Sequence, residues 1–367
     1  MLRLILMILI AVVLPACGKQ DVPVVLHAET RVPERLSEWG VILSDGEYAE
    51  FNDEILPYEL NTALFSDYAL KLRSIWLPAG GQAIYDANDE FEFPVGTIVS
   101  KTFHYEKSPG WTPSNQEVLG IDREADPDEH GQINLDDYLL VETRLLVRYE
   151  SGWRAFPYVW NAEQTEAWLE IAGDVKTLTL VAGDDKQSFV YVIPDANQCA
   201  NCHAPDHSSA EIRPIGLKAR HLNRDKQIEH WASSGVLREV SAKPPRAAMW
   251  SNAGDGSVDG RARAYLDINC AHCHNAAGAA DTSGLHLNFD APMDRNFGIC
   301  KSPTAVGRGS GDRLYDIYPG RPDESILVYR MEHTDPAIAM PELGRSTVHV
   351  EAVQLMKEWI GSLPGGC

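Results

Sequence analysis

Two copies of one short pattern carry the side chains in this sequence that are best placed to do chemistry. Both copies read C-x-x-C-H: Cys199, Cys202 and His203 form the first, and Cys270, Cys273 and His274 form the second. One helical turn brings two thiols at this spacing to the two vinyl groups of one porphyrin, and the histidine that follows then faces the iron. The pattern therefore predicts two covalently attached haem c groups, with both histidines as iron ligands.

Other uses of paired cysteines fit the sequence less well. Zinc knuckles of the C-x-x-C type usually stand about 15 to 20 residues apart, whereas 67 residues separate Cys202 from Cys270. Zinc would also not require a histidine after each pair. Redox disulfides are disfavoured because no thioredoxin-like βαβ pattern precedes either motif. Haem attachment is the preferred interpretation of both motifs.

The chain around the second motif is expected to be helical. Apolar residues recur at helical spacing in 260–270, directly before the motif, and again in 348–363 near the C-terminus. The segment 255–367 resembles a class I cytochrome c domain, in which two such helices cross over the haem. This resemblance implies a helical haem domain at the C-terminal end of the chain.

A Met-Pro step between these two helices supplies a candidate for the sixth iron ligand at the second motif. Met340 precedes Pro341 in an apolar loop, and class I cytochromes present a thioether to the iron from such a step. Met331 and Met356 are rivals, but both stand in helical context. Met340 is therefore the predicted sixth ligand of haem 2.

The first motif gives a weaker prediction for its sixth ligand. Residues 214–217 (PIGL) resemble the proline loop whose carbonyl holds the proximal imidazole in class I cytochromes, so this loop is expected to orient His203. Met249 lies beyond the next predicted helix and is preferred over His221 and His230. Two alternatives stay open: Met249 as a buried packing residue and an open coordination site at haem 1.

The N-terminal half of the chain is predicted to be rich in β-strands. β-Branched and aromatic residues are enriched in five segments: 96–105, 142–150, 153–160, 177–181 and 188–193. These segments predict a sandwich or a barrel-like sheet. The acidic run 122–137 is expected to be a solvated loop, with a cation site as the alternative.

These elements together predict a multidomain α+β fold. A β-rich domain at 17–190 is expected to precede two α-helical class I cytochrome c-like haem domains, at 191–254 and 255–367. Residues 1–16 are expected to be a signal peptide. The length of 367 residues accommodates two or three domains at about 150 residues each.

The N-terminus has the features of a bacterial export signal. Arg3 precedes the apolar run 4–14, which is too short to cross a bilayer, since a spanning helix needs about 20 residues. Residues 14–17 (LPAC) resemble the lipobox, which predicts removal of 1–16 and lipidation of Cys17; a plain secretory signal is the alternative. The resemblance implies a lipoprotein of the outer membrane, on its periplasmic side or at the cell surface.

Export affects how the remaining cysteines and the surface charge are interpreted. Cys300 and Cys367 are an even remainder, which predicts a disulfide between them; two free thiols are the alternative.

The chain has 32 basic and 53 acidic residues, which gives a net charge of −21. Such a surface repels a phosphate backbone, so nucleic acid is excluded as a partner and basic protein surfaces are favoured.

Several segments together resemble the uncharacterised di-haem c-type cytochromes of bacteria. These segments are 59–73, 96–103, 142–146, 158–161, 198–203, 214–223 and 261–275. The resemblance spans almost the entire mature chain and implies haem c at both motifs, and Met340 matches the Met-Pro step of the family. Members are often accompanied by a parallel β-helix repeat protein, which the resemblance implies as a partner.

The function predicted from these observations is electron transfer. A di-haem lipoprotein would pass single electrons between redox partner proteins. The alternative is a haem enzyme, an oxidoreductase or a peroxidase-like protein, with an open coordination site at haem 1 and a substrate pocket in the β-rich domain. In a third interpretation, that domain docks a partner protein.

Overall fold

The computed structural model describes residues 22–121, 132–304 and 306–367. The predicted signal peptide at 1–16, the lipidation site Cys17 and most of the acidic run 122–137 lie outside these residues. No helix in the described ranges is long and apolar enough to cross a membrane.

Fourteen strands in four sheets supply most of the regular structure in the described residues. The strands are β1 (Ile42–Ser44), β2 (Tyr48–Phe51), β3 (Leu56–Pro57), β4 (Leu70–Trp76), β5 (Ala83–Ile84), β6 (Ile98–Glu106), β7 (Glu117–Leu119), β8 (Ile133–Asn134), β9 (Tyr138–Tyr149), β10 (Gly152–Trp160), β11 (Ala167–Leu169), β12 (Asp174–Ala182), β13 (Asp185–Ile193) and β14 (Leu237–Arg238). The five segments predicted to be extended coincide with β6, β9, β10, β12 and β13.

The largest sheet has six strands in the order β11-β10-β9-β6-β4-β3, and all of its neighbours are antiparallel. One face carries Leu72, Ile98 and Leu145, which pack into an apolar core with Trp39 and Tyr158. The opposite face is covered by the segment that follows β13. Because both faces are covered, six of the seven residues of β4 are buried.

Six α-helices occur in the described ranges, and all are short. They are α1 (Cys199–His203), α2 (Ala219–Leu222), α3 (Gln227–Ser233), α4 (Val258–Asn269), α5 (Ile326–Met331) and α6 (Val350–Ser362). The longest, α6, has 13 residues. The fold is therefore sheet-rich, and the predicted pair of α-helical cytochrome c-like domains is absent from the described part of the chain. That prediction is wrong.

The reason for this error is clearest in 191–254. Its three helices have only five, four and seven residues, too few to enclose a core of their own. Their buried side chains, including Leu222 and Trp231, instead share a core with Tyr58 and Phe91 from the N-terminal half. In addition, β14 pairs in parallel with β5. This segment is an additional layer on the sheet rather than a separate helical domain.

The C-terminal segment has more helix but long irregular connections. Helices α4 and α6 occupy the places where helical spacing predicts them, and they pack together around Leu266, Met356 and Trp359. A disulfide joins Cys300 to Cys367 and ties the end of the chain to the loop between α4 and α5. This arrangement encloses the largest cavity described below.

Candidate functional site

The first C-x-x-C-H motif coincides with α1, which starts directly after a turn. The carboxylate of Asp195 accepts hydrogen bonds from the backbone N–H groups of residues 197 and 198, at 2.7 and 2.9 Å, and so holds the turn that precedes the helix. At its end, Nδ1 of His203 lies 2.7 Å from the carbonyl oxygen of Arg213. Nδ1–H donates to that carbonyl, which leaves Nε2 as a lone-pair donor for a metal.

The second motif follows α4 without a break. Ser257 caps the start of this helix, because its Oγ accepts a hydrogen bond from the N–H of Gly260 at 3.0 Å. The hydroxyl of Ser283 donates to a carbonyl at 2.6 Å, so its oxygen accepts from Nδ1 of His274 at 3.1 Å. His274 is thus held in the same tautomer as His203, with Nε2 available.

A cavity of about 620 Å³ lies beside the second motif. Cys270, Cys273, His274 and Met340 all line it, together with apolar side chains such as Phe297. Pockets that take cofactors commonly measure about 300–1,000 Å³. The structure therefore brings the two cysteines and the histidine of the second motif, and the candidate thioether ligand, to one cavity of suitable size.

The loop that carries Met340 is held by backbone contacts. The N–H of Met340 donates to the carbonyl of Arg330 at 3.1 Å, and the guanidinium of Arg345 donates to the carbonyl of Met340 at 2.7 Å. Met331 also lines the cavity, whereas Met356 is buried in the core between the helices. The backbone of Met340 is therefore held through both its N–H and its carbonyl group.

Two smaller cavities adjoin the first motif. Cys199, Cys202 and His203 all line a cavity of about 130 Å³ between α1 and the six-stranded sheet. Cys202 and His203, but not Cys199, line a second cavity of about 350 Å³, which His221 also lines. The first cavity is thus the one that all three motif residues share.

Met249, the preferred sixth ligand of haem 1, lines neither cavity beside His203. Its side chain is half-buried, and its N–H donates to a carboxylate oxygen of Asp255 at 2.7 Å. The structure therefore does not bring Met249 to the first motif.

The two motifs meet in space, which their separation along the chain does not reveal. The sulfurs of Cys202 and Cys273 and a ring nitrogen of His272 all lie within 4.8 Å of one another. Cys273 Sγ also donates to the carbonyl of Asn201 at 3.3 Å. The neighbouring Cys273 side chain lowers the pKa of Cys202.

Burial keeps both motif histidines neutral. Loss of hydration, followed by the nearby Lys101 ammonium, lowers the pKa of His203 to about 3. Loss of hydration, followed by Arg330, lowers the pKa of His274 to about 4. A neutral imidazole is the form that binds a metal, so both side chains are ready ligands at physiological pH.

A row of cations crosses the sheet face opposite the first motif. Arg73, Lys101 and Arg144 are directly paired neighbours on β4, β6 and β9, so their side chains share one face. Burial and the two arginines lower the pKa of Lys101 to about 7. Sequence analysis did not single out Lys101, although a lysine in the interior of a predicted strand was a signal of a special environment.

A haem c group suits the donor set at both motifs. Each motif offers two thiols and a neutral imidazole whose second nitrogen is hydrogen-bonded, and the second motif adds a thioether and a cavity of matching size. The cavity that all three residues of the first motif line measures about 130 Å³, which is smaller than the usual cofactor pocket of about 300–1,000 Å³. The fit of a haem at the first motif therefore depends on the donor atoms.

Comparison with known proteins adds no assignment. No family model, no curated protein and no solved structure matches this chain.

Proposed function

We propose that this chain is a di-haem c electron-transfer protein. The observation that carries the proposal is the meeting of the two C-x-x-C-H motifs, with the sulfurs of Cys202 and Cys273 within 4.8 Å of each other. Two cofactors tethered to sulfur atoms this close together are positioned to exchange electrons directly. Haem c at each motif would supply an iron that gains and loses one electron.

The side chains around each motif restrain the ligands that this function needs. The carbonyl of Arg213 orients His203, and the hydroxyl of Ser283 orients His274. Arg345 holds the Met340 loop through the carbonyl of Met340. Ligands fixed by a surrounding shell keep their positions when the charge on a bound metal changes, which favours fast one-electron exchange.

We also propose an exported location and a protein partner for this activity. The lipobox-like residues 14–17 favour lipidation of Cys17 and an outer-membrane lipoprotein. The net charge of −21 favours a redox partner with a basic docking surface. The resemblance to the di-haem family suggests a parallel β-helix repeat protein as a companion.

A metal centre without porphyrin is the second candidate function. Cys202, His272 and Cys273 form a three-ligand cluster that suits zinc with one further ligand. In that case Cys199, Cys270 and the two motif histidines would have no role at the centre. The haem proposal uses them all, and it is therefore preferred.

The two candidates differ in what the purified chain contains. The chain is expressed with its leader in a bacterium that has a haem c attachment system. We expect the intact mass and the pyridine haemochrome assay to give two covalent haems per chain and no stoichiometric zinc. One zinc per chain without covalent haem would refute the proposal in favour of the metal centre.

A further inference from the structure

The sixth ligand of haem 1 is the part of the proposed site that the sequence left open. The cavity lined by Cys199, Cys202 and His203 has α1 on one side and the face of the six-stranded sheet on the other. No methionine lines it. A sixth ligand on the sheet side therefore has to be a nitrogen or oxygen donor.

The sheet contributes two lysines to this cavity, Lys71 and Lys101. The ammonium of Lys71 donates to the carbonyl of Ala69 at 2.9 Å, so this side chain is already hydrogen-bonded to the backbone. No described residue accepts a hydrogen bond from the side-chain nitrogen of Lys101 or forms an ion pair with it. Of the two lysines, Lys101 is therefore the one whose side-chain nitrogen has no hydrogen bond or ion pair with a described residue.

The neighbours of Lys101 disfavour its charged form. Arg73 forms an ion pair with Glu59 at 3.0 Å, and Arg144 forms a two-pronged pair with Glu142 at 2.8 and 2.6 Å. The acids beside the row are therefore bound to the arginines, and the central lysine is left between two cations. A neutral amine that donates its lone pair to a metal removes this repulsion.

Two histidines are less suitable. Nε2 of His221 is 2.7 Å from the carboxylate of Asp267, and His221 lines the cavity that Cys199 does not reach. His272 lines the shared cavity, but its ring lies beside the sulfurs of Cys202 and Cys273. Those sulfurs attach to the porphyrin edge rather than to the iron.

We infer that Lys101 is the sixth iron ligand of haem 1, opposite His203; this inference rests on the proposed di-haem function. The amine of β6 closes the coordination sphere from the sheet side. Haem 1 is then a saturated electron carrier, with no open position for peroxide or another small substrate. The β-rich part of the chain accordingly supplies a ligand rather than a substrate pocket.

The test compares Lys101→Ala with Lys71→Ala, which removes the other lysine of the same cavity. The full-length holoprotein is purified for each variant, and covalent haem is counted before any spectrum is interpreted. The readouts are the EPR spectrum of the oxidised protein and carbon monoxide binding to the reduced protein. Ethylamine is then added to each variant as an external substitute for the missing side chain.

We expect the parent and Lys71→Ala to contain two low-spin haems that do not bind carbon monoxide. Lys101→Ala should contain one high-spin haem per chain that binds one carbon monoxide, and ethylamine should return it to low spin. If Lys101→Ala loses haem, Lys101→Arg serves instead, because a guanidinium keeps the charge but does not ligate iron. It should retain two haems and bind one carbon monoxide.

Two low-spin, unreactive haems in Lys101→Ala or in Lys101→Arg would overturn the assignment, as would carbon monoxide binding by the parent at haem 1. Either result counts only if the purified protein contains two covalent haems. A parent with fewer than two haems would instead contradict the proposed function, so the two failures are distinguishable.

Discussion

The second motif follows a capped helix of twelve residues, whereas the first lies on a helix of five residues that faces the six-stranded sheet across a cavity. At the second motif, His274 and Met340 come from one C-terminal segment and line one cavity. At the first motif, the cavity is completed by strands from the other half of the chain. One site is assembled locally and the other depends on long-range packing.

This difference leads to different sensitivities. A change in the C-terminal segment should affect haem 2 and leave haem 1 in place, because the two proposed attachment sites use separate cysteines. A change at the junction between the segments should instead affect the stability of the whole chain.

Removal of the second pair of cysteines should halve the haem content. Cys270→Ser with Cys273→Ser leaves Cys199 and Cys202 available, so we expect one covalent haem per chain instead of two. The matched variant, Cys199→Ser with Cys202→Ser, should also retain one. Pyridine haemochrome and intact mass measure the content. Loss of both haems in either variant would show that the two sites are not independent.

The replacement Met340→Leu should open the coordination sphere of haem 2. Leucine has a similar volume but no sulfur, so one haem per chain should become high-spin and bind carbon monoxide, and its reduction potential should fall. Optical titration and EPR measure both changes. Met249→Leu is the matched control and should leave both spectra unchanged. A spectral change in the control would indicate that Met249 is an iron ligand.

The replacement Asp267→Ala should destabilise the junction between the two segments. The Asp267 carboxylate on α4 accepts hydrogen bonds from Arg220 at 2.7 and 3.0 Å and from His221. Its loss leaves a buried guanidinium without its carboxylate counter-charge, which costs about 3–5 kcal/mol. Chemical unfolding measures the free energy. Glu38→Ala, in an exposed pair with Arg35, should cost less than about 1 kcal/mol.

The Asp267 contribution should also depend on pH. Hydrogen bonds from His221 and Arg220 lower the pKa of Asp267 in the folded chain. Its stabilisation is therefore complete above the unfolded pKa of about 3.9 and is lost as the pH falls below that value. The difference in unfolding free energy between the parent and Asp267→Ala should shrink in that range. A difference that stays constant down to pH 3 would contradict this assignment.

Removal of the disulfide should have a smaller effect that leaves the haem content unchanged. Cys300→Ser with Cys367→Ser opens a loop of 67 residues, which should cost about 2–4 kcal/mol. Chemical unfolding of the oxidised parent, the reduced parent and the variant checks this value. The reduced parent should match the variant; equal stability of all three would show that the bond does not contribute.

The local site was easier to predict from the sequence than the one built by long-range packing. Helical spacing placed α4 and α6, and β-branched segments placed the long strands, because these patterns reflect neighbours along the chain. The Met-Pro step singled out Met340, which lines the same cavity as His274. Each of these features lies within a single segment.

Features that depend on tertiary packing were missed. Three short helices in 191–254 were expected to form a domain, yet their apolar residues belong to the core of the sheet. Lys101 and His203 are about a hundred residues apart in sequence, so no local pattern could bring them to one cavity. The same holds for the contact between Cys202 and Cys273.

The central claim is that two haems are attached at adjoining cysteines and exchange electrons directly. The most direct measurement is the EPR spectrum of the fully oxidised holoprotein, compared with the sum of the spectra of the two single-haem variants. We predict that the parent spectrum differs from that sum because the two ferric irons interact magnetically. A parent spectrum equal to the sum would show two isolated irons and would contradict the account.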